Sequence, residues 1–261
     1  ACTHGADDGD ASLLALHDQR DFTGDRGNGG HHVVELSESE APMIYSMVRE
    51  LAANAQIPMP RIAVVPEEAP NAFATGRNPE NSVVAVTEGI LRLLSPEELK
   101  GVLAHEIAHI ANRDILIQTV AGVMASTIVS IANFMQFAAI FGMGRSSEDG
   151  EGGGSNPLMA IVLAILAPIA ASLIQFAISR SREYLADASG ARYCGQPLAL
   201  AAALGKLQSW NQRIPMQNGN PTTAEMFIVA PLFGGGMAKL FSTHPDINDR
   251  IARLREMAGV R

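Results

Sequence analysis

Two long stretches without a charged residue constrain this chain more than any other feature. They cover residues 115–144 and 152–179, which are thirty and twenty-eight residues long. About 20 apolar residues in a helix cross the roughly 30 Å hydrocarbon core of a bilayer. The alternative is a pair of buried helices in a soluble core, but core helices of this length rarely lack charge entirely. The sequence therefore predicts a transmembrane helical hairpin over residues 115–179.

The charges around the two stretches predict their orientation. The connection at 145–151 is short and acidic, whereas the outer flanks carry the basic residues Arg92, Lys100, Arg113, Arg180, Arg182 and Arg192. Basic flanks stay in the cytoplasm under the positive-inside rule. We expect a multi-pass protein of the cytoplasmic (inner) membrane, with the lipid bilayer as a partner. Residues 1–114 and 180–261 then share the cytoplasmic face.

The acidity of the chain is concentrated at its beginning. The 261 residues carry a formal net charge of −8, and the first forty contain nine acidic and two basic residues. Residues 1–36 are acidic and glycine-rich, so a disordered head is expected there, and no signal-peptide pattern is visible. An acidic chain is a poor nucleic-acid binder, so no nucleic-acid partner is expected. Two cysteines cannot form a disulfide framework and are typical of a reducing compartment.

Helix and strand signals begin near residue 37. A capping-box spacing at Ser37 and Glu40, followed by Pro42, predicts a helix start. Short β-branched runs at 61–65 and 82–86 predict two strands, with a turn-rich loop between them. Ser95, Pro96 and Glu98 form a second capping signal that opens a helix running at least through His109.

The motif HEIAH inside that second helix predicts a metal site. His105 and His109 lie on one helical face, where two imidazoles can bind one zinc ion per chain. Glu106 is the candidate general base for a hydrolytic water. The alternative is two solvated helix histidines, but the Ala, Ile and Val neighbours indicate a buried helix, and buried histidines need partners.

A hydrolytic zinc needs a third protein ligand, and few residues qualify. Glu183 is favoured because two predicted spans return the chain to the membrane face that holds His109. Asp187 and His244 compete with it as ligands. Asp187 lies four residues after Glu183, and alternatively its carboxylate orients a zinc-bound histidine without binding the metal itself. Surface ion pairs with Arg180 or Arg182 are the other interpretation of both carboxylates.

Four segments carry a resemblance to a known family: 70–79 (PNAFATGRNP), 102–116 around HEIAH, 179–187 and 241–245 (FSTHP). Together they resemble the HtpX-type membrane metalloproteases of the gluzincin class, from about residue 37 to the C-terminus. The resemblance implies an α-rich α+β zinc-protease domain with a small β-sheet, interrupted by a two-helix transmembrane hairpin. It implies Glu183 as the third zinc ligand. It further implies cleavage of membrane or misfolded proteins on the cytoplasmic side, in stress response and quality control.

The resemblance also divides the chain. Residues 37–114 would be the first part of the protease domain and 180–261 the second part, with the hairpin at 115–179 between them. Family members usually carry two further spans ahead of the protease domain, where this chain has its acidic head.

Three further residues are candidates for supporting roles. His244 either holds the substrate carbonyl or oxyanion, or is a capped histidine before the last helix. Asn71 either binds the substrate backbone or forms a turn, and Asn112 either supports a ligand or is a helix-surface amide. Arg250 is expected in an ion pair. An extended substrate is expected to pair with the strand at 83–86.

Two other functions share parts of this pattern. Prenyl-protein proteases have the same zinc motifs, but they build a chamber from more spans than the two predicted here. A non-catalytic membrane adaptor with a structural zinc would not need Glu106 as a general base. The leading interpretation is therefore a membrane-anchored zinc endopeptidase acting on protein substrates.

Overall fold

The computed structural model describes residues 33–140, 157–213 and 245–260. The predicted head, the acidic connection at 145–151 and His244 lie outside the described residues. Within the described ranges the fold is rich in helix and contains one small mixed β-sheet. The expected α-rich α+β class is confirmed at this level.

The sheet has four strands in the order β1-β2-β4-β3: β1 (Val34–Glu35), β2 (Arg61–Val65), β3 (Ala72–Gly76) and β4 (Ser82–Thr87). Strands β2 and β4 are parallel, and the two other pairings are antiparallel. Both predicted strands, at 61–65 and 82–86, are confirmed. Strand β3 lies where a loop was predicted. Turn-forming residues on both sides of it led to the loop prediction, whereas the strand is defined by its hydrogen bonds to β4.

The position of β4 corrects one functional expectation. Residues 83–86 were the predicted partner of an extended substrate, but β4 is hydrogen-bonded to β2 on one side and to β3 on the other. Its backbone groups are therefore already used. Strand β3 is the edge strand on this side of the sheet in the described part of the chain.

The described helices are α1 (Pro42–Ala55), α2 (Glu88–Leu93), α3 (Pro96–Ala111), α4 (Asp114–Ile140), α5 (Pro157–Cys194), α6 (Pro197–Arg213) and α7 (Ile247–Met257). The predicted capping box of α3 is confirmed, since Ser95 and Glu98 each accept a hydrogen bond from the other's backbone N–H. At α1 the prediction was wrong in detail. Glu40 accepts from the Ser37 backbone in a turn before the helix, and Ala41 is the N-cap residue.

Helix α3 is the centre of the hydrophobic core and is covered by α1, α5, α6 and the sheet. Two glycines allow its neighbours to approach the backbone closely. A Cβ atom at Gly101 would lie 2.7 Å from the backbone nitrogen of Leu200 in α6. A Cβ atom at Gly190 of α5 would lie 2.9 Å from the backbone nitrogen of His105. The HEIAH motif thus lies in a helix that α5 and α6 approach closely.

Helices α4 and α5 contact each other extensively and expose apolar surface elsewhere. The exposed large side chains include Val123, Phe134, Leu166 and Ile174. Among the described residues, one segment, Asp114–Ala138 in α4, is long and apolar enough to cross a membrane by length and composition. The second span of the predicted hairpin stays a proposal.

We expect Gly190→Ala to destabilise the protein by about 1–3 kcal/mol, because the added methyl group forces α5 away from α3. The matched control is Gly205→Ala in α6, where an added Cβ meets no atom within 4 Å. This control should gain up to about 1 kcal/mol from helix propensity. Urea unfolding of both variants in detergent checks the pair. Equal stability of Gly190→Ala and the wild type would contradict the close approach of the two helices.

Candidate metal centre

Helix α3 brings three residues of the HEIAH motif to one buried position. His105 and Glu106 are buried, and His109 is partly buried. The Nε2 atoms of His105 and His109 are 3.0 Å apart, as expected for residues one turn apart on the same helical face. Both imidazoles therefore present the same nitrogen to one point in space.

Glu183 of α5 completes a set of three potential metal ligands. Its Oε2 lies 3.6 Å from His105 Nε2, and its Oε1 lies 3.5 Å from His109 Nε2. One ligand atom from each of the three residues lies within 4.8 Å of the others. Zinc bonds of about 2.0–2.1 Å in tetrahedral geometry place ligand atoms about 3.4 Å apart. The spacing of the three side chains therefore fits a zinc ion.

A carboxylate lies behind each imidazole. Asp187 Oδ1 is 3.0 Å from His105 Nδ1, and Asp114 Oδ2 is 2.7 Å from His109 Nδ1. A carboxylate at Nδ1 favours the tautomer with its proton there, which leaves the Nε2 lone pair available to a metal. The surroundings thus prepare both histidines as ligands.

Arg250 of α7 fixes the two acidic residues of α5. Its guanidinium is completely buried, donates two hydrogen bonds of 2.7 Å to Asp187 and lies 3.1 Å from Glu183 Oε2. Burial by itself would raise the pKa of Asp187, but the attraction of Arg250 outweighs it and lowers that pKa to about 2. Asp187 is therefore a permanent carboxylate behind His105.

The centre carries an excess of negative charge. Two guanidinium groups face four carboxyl groups: Arg182 and Arg250 against Glu106, Asp114, Glu183 and Asp187. Burial lowers the pKa of His105, yet its contacts with Asp187 and Glu183 outweigh burial and raise that pKa to about 10. The surroundings therefore favour positive charge at this position. A divalent cation on the two imidazoles and Glu183 would supply that charge, and this donor set suits zinc.

Glu106 lies between the histidines and the edge of the sheet. Burial raises the pKa of its carboxyl group, and the backbone N–H of Ala74 in β3 donates a hydrogen bond to it. A carboxyl group with a raised pKa holds a proton more readily than an ordinary one, which suits a general base. The same contact holds the middle of β3 against the metal centre.

The other candidate residues occupy different positions. Asn71 is buried just before β3, where its backbone is hydrogen-bonded to Thr87. Asn112 is the C-cap residue of α3, and its carbonyl oxygen accepts a hydrogen bond from Arg182. The expected ion pair of Arg250 is confirmed, with Asp187 as its partner. His244 lies outside the described residues.

Sequence reasoning assigned no role to Asp114, although it lies in the motif segment 102–116. A signal was present, because an acidic residue five positions after His109 directly precedes a segment that tolerates no charge. A buried carboxylate at the start of an uncharged segment needs a partner, and His109 is one partner of Asp114. Arg182 was treated as a flanking positive charge and as one possible surface partner of Glu183 or Asp187, and its contact with Asp114 was not foreseen.

Comparison with known proteins identifies the family. Residues 38–258 match Peptidase family M48. This chain belongs to that family. The "Protease HtpX homolog" of Syntrophobacter fumaroxidans is 57% identical over 222 residues, which cover 85% of this chain and 78% of the relative. Those of Pyrococcus furiosus and Burkholderia multivorans are 55% and 54% identical, and the matches cover 85% and 87% of this chain and 76% and 78% of the relatives.

Membership of M48 makes this chain a metalloprotease, and the HtpX-type resemblance is confirmed. The crystal structure of S. mikatae Ste24p matches with a TM-score of 0.57 at 21% identity, over 86% of this chain. The chain spans 52% of the Ste24p chain, about half its length. At this identity the match supports the shared fold alone.

We expect Glu106→Gln to reduce peptide hydrolysis by about 10²–10⁴-fold, because an amide cannot accept the proton of the attacking water. Zinc content should stay that of the wild type, since Glu106 is not among the three candidate ligands. The matched control is Glu97→Gln, an exposed residue in the first turn of the same helix. Casein cleavage by the three proteins, purified together with their bound zinc, provides the measurement. Equal rates for Glu106→Gln and wild type would refute the assigned role.

Proposed function

We propose that this M48 protein is a membrane-anchored zinc endopeptidase that cleaves membrane or misfolded proteins at a cytoplasmic active site, in protein quality control. One observation carries the proposal: the centre formed by His105, His109 and Glu183 lies directly beside the start of α4. The segment Asp114–Ala138 has the length and composition of a membrane span. Hydrolytic groups and a membrane-type helix are therefore joined within five residues of His109.

The proposed mechanism assigns one task to each group. When bound, zinc would supply a water of lowered pKa and polarise the scissile carbonyl. Glu106 takes the proton from the attacking water and transfers it to the leaving amine. Asp187 and Asp114 hold the two imidazoles in position, and Arg250 holds Glu183 and Asp187 together.

Strand β3 is the surface that an extended substrate would pair with. It has β4 on one side and no strand on the other side in the part of the chain that the structure describes. The hydrogen bond from Ala74 to Glu106 places the middle of this strand next to the general base. A peptide added to its edge would be recognised mainly through its backbone, so we propose broad sequence specificity.

The predicted division of the chain into 37–114, a hairpin and 180–261 is supported by contacts between its two ends. Asp114 at the start of α4 contacts Arg182 in α5. Glu183 lies in α5 after the two uncharged stretches, yet it meets His109, which precedes them. A hairpin that leaves and re-enters one compartment would bring 37–114 and 180–261 together in this way. The exposed apolar side chains of α4 and α5 would then face lipid. The basic flanks favour the cytoplasm for both parts of the protease domain.

A labelling experiment tests this orientation. Both native cysteines are replaced by serine, and single cysteines are introduced by Ser147→Cys in the predicted connection or Ser37→Cys before α1. A membrane-impermeant maleimide applied to intact cells should label Ser147→Cys and leave Ser37→Cys unlabelled until the cells are opened. Labelling of Ser37→Cys in intact cells, or protection of Ser147→Cys, would contradict the proposed topology.

A positively charged cleft beside the centre suggests one substrate preference. Its lining includes His109, the end of β3 and the first residues of α4. Arg77 and Arg113 also line it and form no ion pair with any residue described by the structure. An acidic side chain near the scissile bond would therefore find positive charge there. We propose that such substrates are favoured modestly, because exposed charge pairs contribute little energy.

We expect peptides with Glu near the scissile bond to be cleaved about twofold to fivefold more efficiently than their Lys counterparts. The double substitution Arg77→Glu and Arg113→Glu should reverse this preference. Arg255→Glu, an exposed change at the end of α7, is the control and should leave it unchanged. Comparison of kcat/KM at low and high salt provides the measurement, because screening weakens exposed pairs. A preference that is unaffected by the double substitution would contradict the role of the cleft.

A further inference from the structure

We propose that Arg182 is a positioning residue for the metal centre: it holds Asp114, which in turn holds the ligand His109. The inference rests on the proposed zinc function. In this role Arg182 raises the affinity of the centre for zinc, separately from any contribution it makes to the stability of the fold. The effect is exerted at the junction between the protease domain and the two apolar helices.

The arrangement begins with Asp114, the first residue of α4, which is almost completely buried. Its two carboxylate oxygens serve different partners. Oδ2 lies 2.7 Å from His109 Nδ1, and Oδ1 accepts hydrogen bonds from the Arg182 guanidinium. A carboxylate shared in this way has a fixed orientation, and it passes that orientation on to the imidazole.

Arg182 connects three helices. It belongs to α5 and binds Asp114 at the start of α4, and it also donates a 2.9 Å hydrogen bond to the carbonyl of Asn112 at the end of α3. Between these two partners lies Arg113, whose φ of 55° is left-handed and unfavourable for a residue with a side chain. The planar guanidinium, with several donors in a fixed geometry, suits this double contact. It therefore holds a strained junction in one conformation.

The position of Arg182 in the chain gives the contact its importance. The next residue is Glu183, the third ligand, so one side chain ties the helix that supplies Glu183 to the turn that follows His109. The two uncharged stretches, 115–144 and 152–179, separate His109 from Glu183 in sequence. A change in the packing of α4 against α5 would move Arg182 and Asp114 relative to each other, and with them the two ligands.

The metal centre thus contains two parallel chains of contacts. His105 is backed by Asp187 and Arg250, and His109 is backed by Asp114 and Arg182. The first chain is inside the protease domain, where the His105 side chain is 1% exposed. The second is at the base of the apolar helices, where His109 is 16% exposed. His109 has less surrounding protein to hold it and depends more on the contact with Asp114.

Loss of Arg182 would leave Asp114 as a buried carboxylate without its positive partner. Without the guanidinium that fixes its orientation, the Asp114 side chain can change conformation, and this removes the fixed acceptor from His109. Mutation of groups that orient metal ligands typically weakens metal binding by about 10–100-fold. We therefore expect Arg182→Gln to weaken zinc binding by about 10–100-fold.

The matched control is Arg180→Gln in the same helix. Arg180 is also partly buried, but its guanidinium donates to the carbonyl of Phe176 in α5 itself rather than to another helix. Zinc dissociation constants of the full chain in detergent are measured by competition with a chromophoric chelator. Thermal unfolding of the chelator-treated protein reports the stability of the fold separately. Arg180→Gln should bind zinc within about twofold of the wild type.

A double-mutant cycle with Asp114→Asn tests the route of the effect. If Arg182 acts through Asp114, adding Arg182→Gln to Asp114→Asn should change the zinc dissociation constant by less than about twofold. If the two substitutions weaken zinc binding independently, so that their effects on the dissociation constant multiply, this route is overturned. A normal zinc affinity in Arg182→Gln with reduced stability of the metal-free protein would also overturn it, since Arg182 would then be an ordinary structural ion pair.

If Arg182→Gln does not fold, the zinc dissociation constant is measured for Arg182→Lys instead. A lysine keeps the charge but cannot reproduce the planar double contact with Asp114 and Asn112. We expect its zinc binding to be weaker than that of the wild type, and equal binding would overturn the proposal. If the wild type itself binds no zinc, the proposed function fails. If it binds zinc and both Arg182 variants match it, the positioning role alone fails.

Discussion

The buried charge of the metal centre is the constraint on which the rest of this structure depends. Several carboxyl groups lie close together in the interior, and buried charges are stable only when they are paired. Arg250 supplies one partner from α7 and Arg182 another from α5, while two imidazoles and Glu183 converge on a place for a cation. Helices α3, α4, α5 and α7 are therefore joined by electrostatic contacts at the candidate metal centre.

The packing around this centre brings the charged groups within reach of their partners. Helix α3 presents HEIAH at the middle of the core, and Gly190 lets α5 approach it closely enough for Glu183 and Asp187 to reach the histidines. On the opposite side, β3 brings the Ala74 backbone to Glu106. Helix α5 and strand β3, two neighbours of α3, thus each contribute to the site. Helix α4 begins at Asp114, so the proposed membrane anchor starts at the residue that lies behind the candidate ligand His109.

Helix α3, the spacing of its histidines and strands β2 and β4 could be predicted from the sequence, because each depends on residues that are close together in the chain. The capping box at Ser95 fixes the start of α3, and the spacing of His105 and His109 follows from the geometry of a helix. Strands β2 and β4 are β-branched runs. The edge strand β3 was missed because its residues carry no such pattern and because its pairing with β4 defines it. The predicted substrate strand at 83–86 failed for the same reason, since strand order in a sheet depends on contacts distant in sequence.

By itself, the sequence determined the helix that carries the motif, the residue types able to bind zinc, and the two uncharged segments between His109 and Glu183. Helical periodicity and the lack of charge are properties of neighbouring residues, so they can be interpreted without a fold. Only the tertiary structure decided that Arg250 pairs with Asp187, that Asp114 lies behind His109, and that Arg182 ties Asp114 to α5. These contacts join residues that have no fixed spacing in the chain, and the need to pair buried charge becomes specific only when packing brings the helices together.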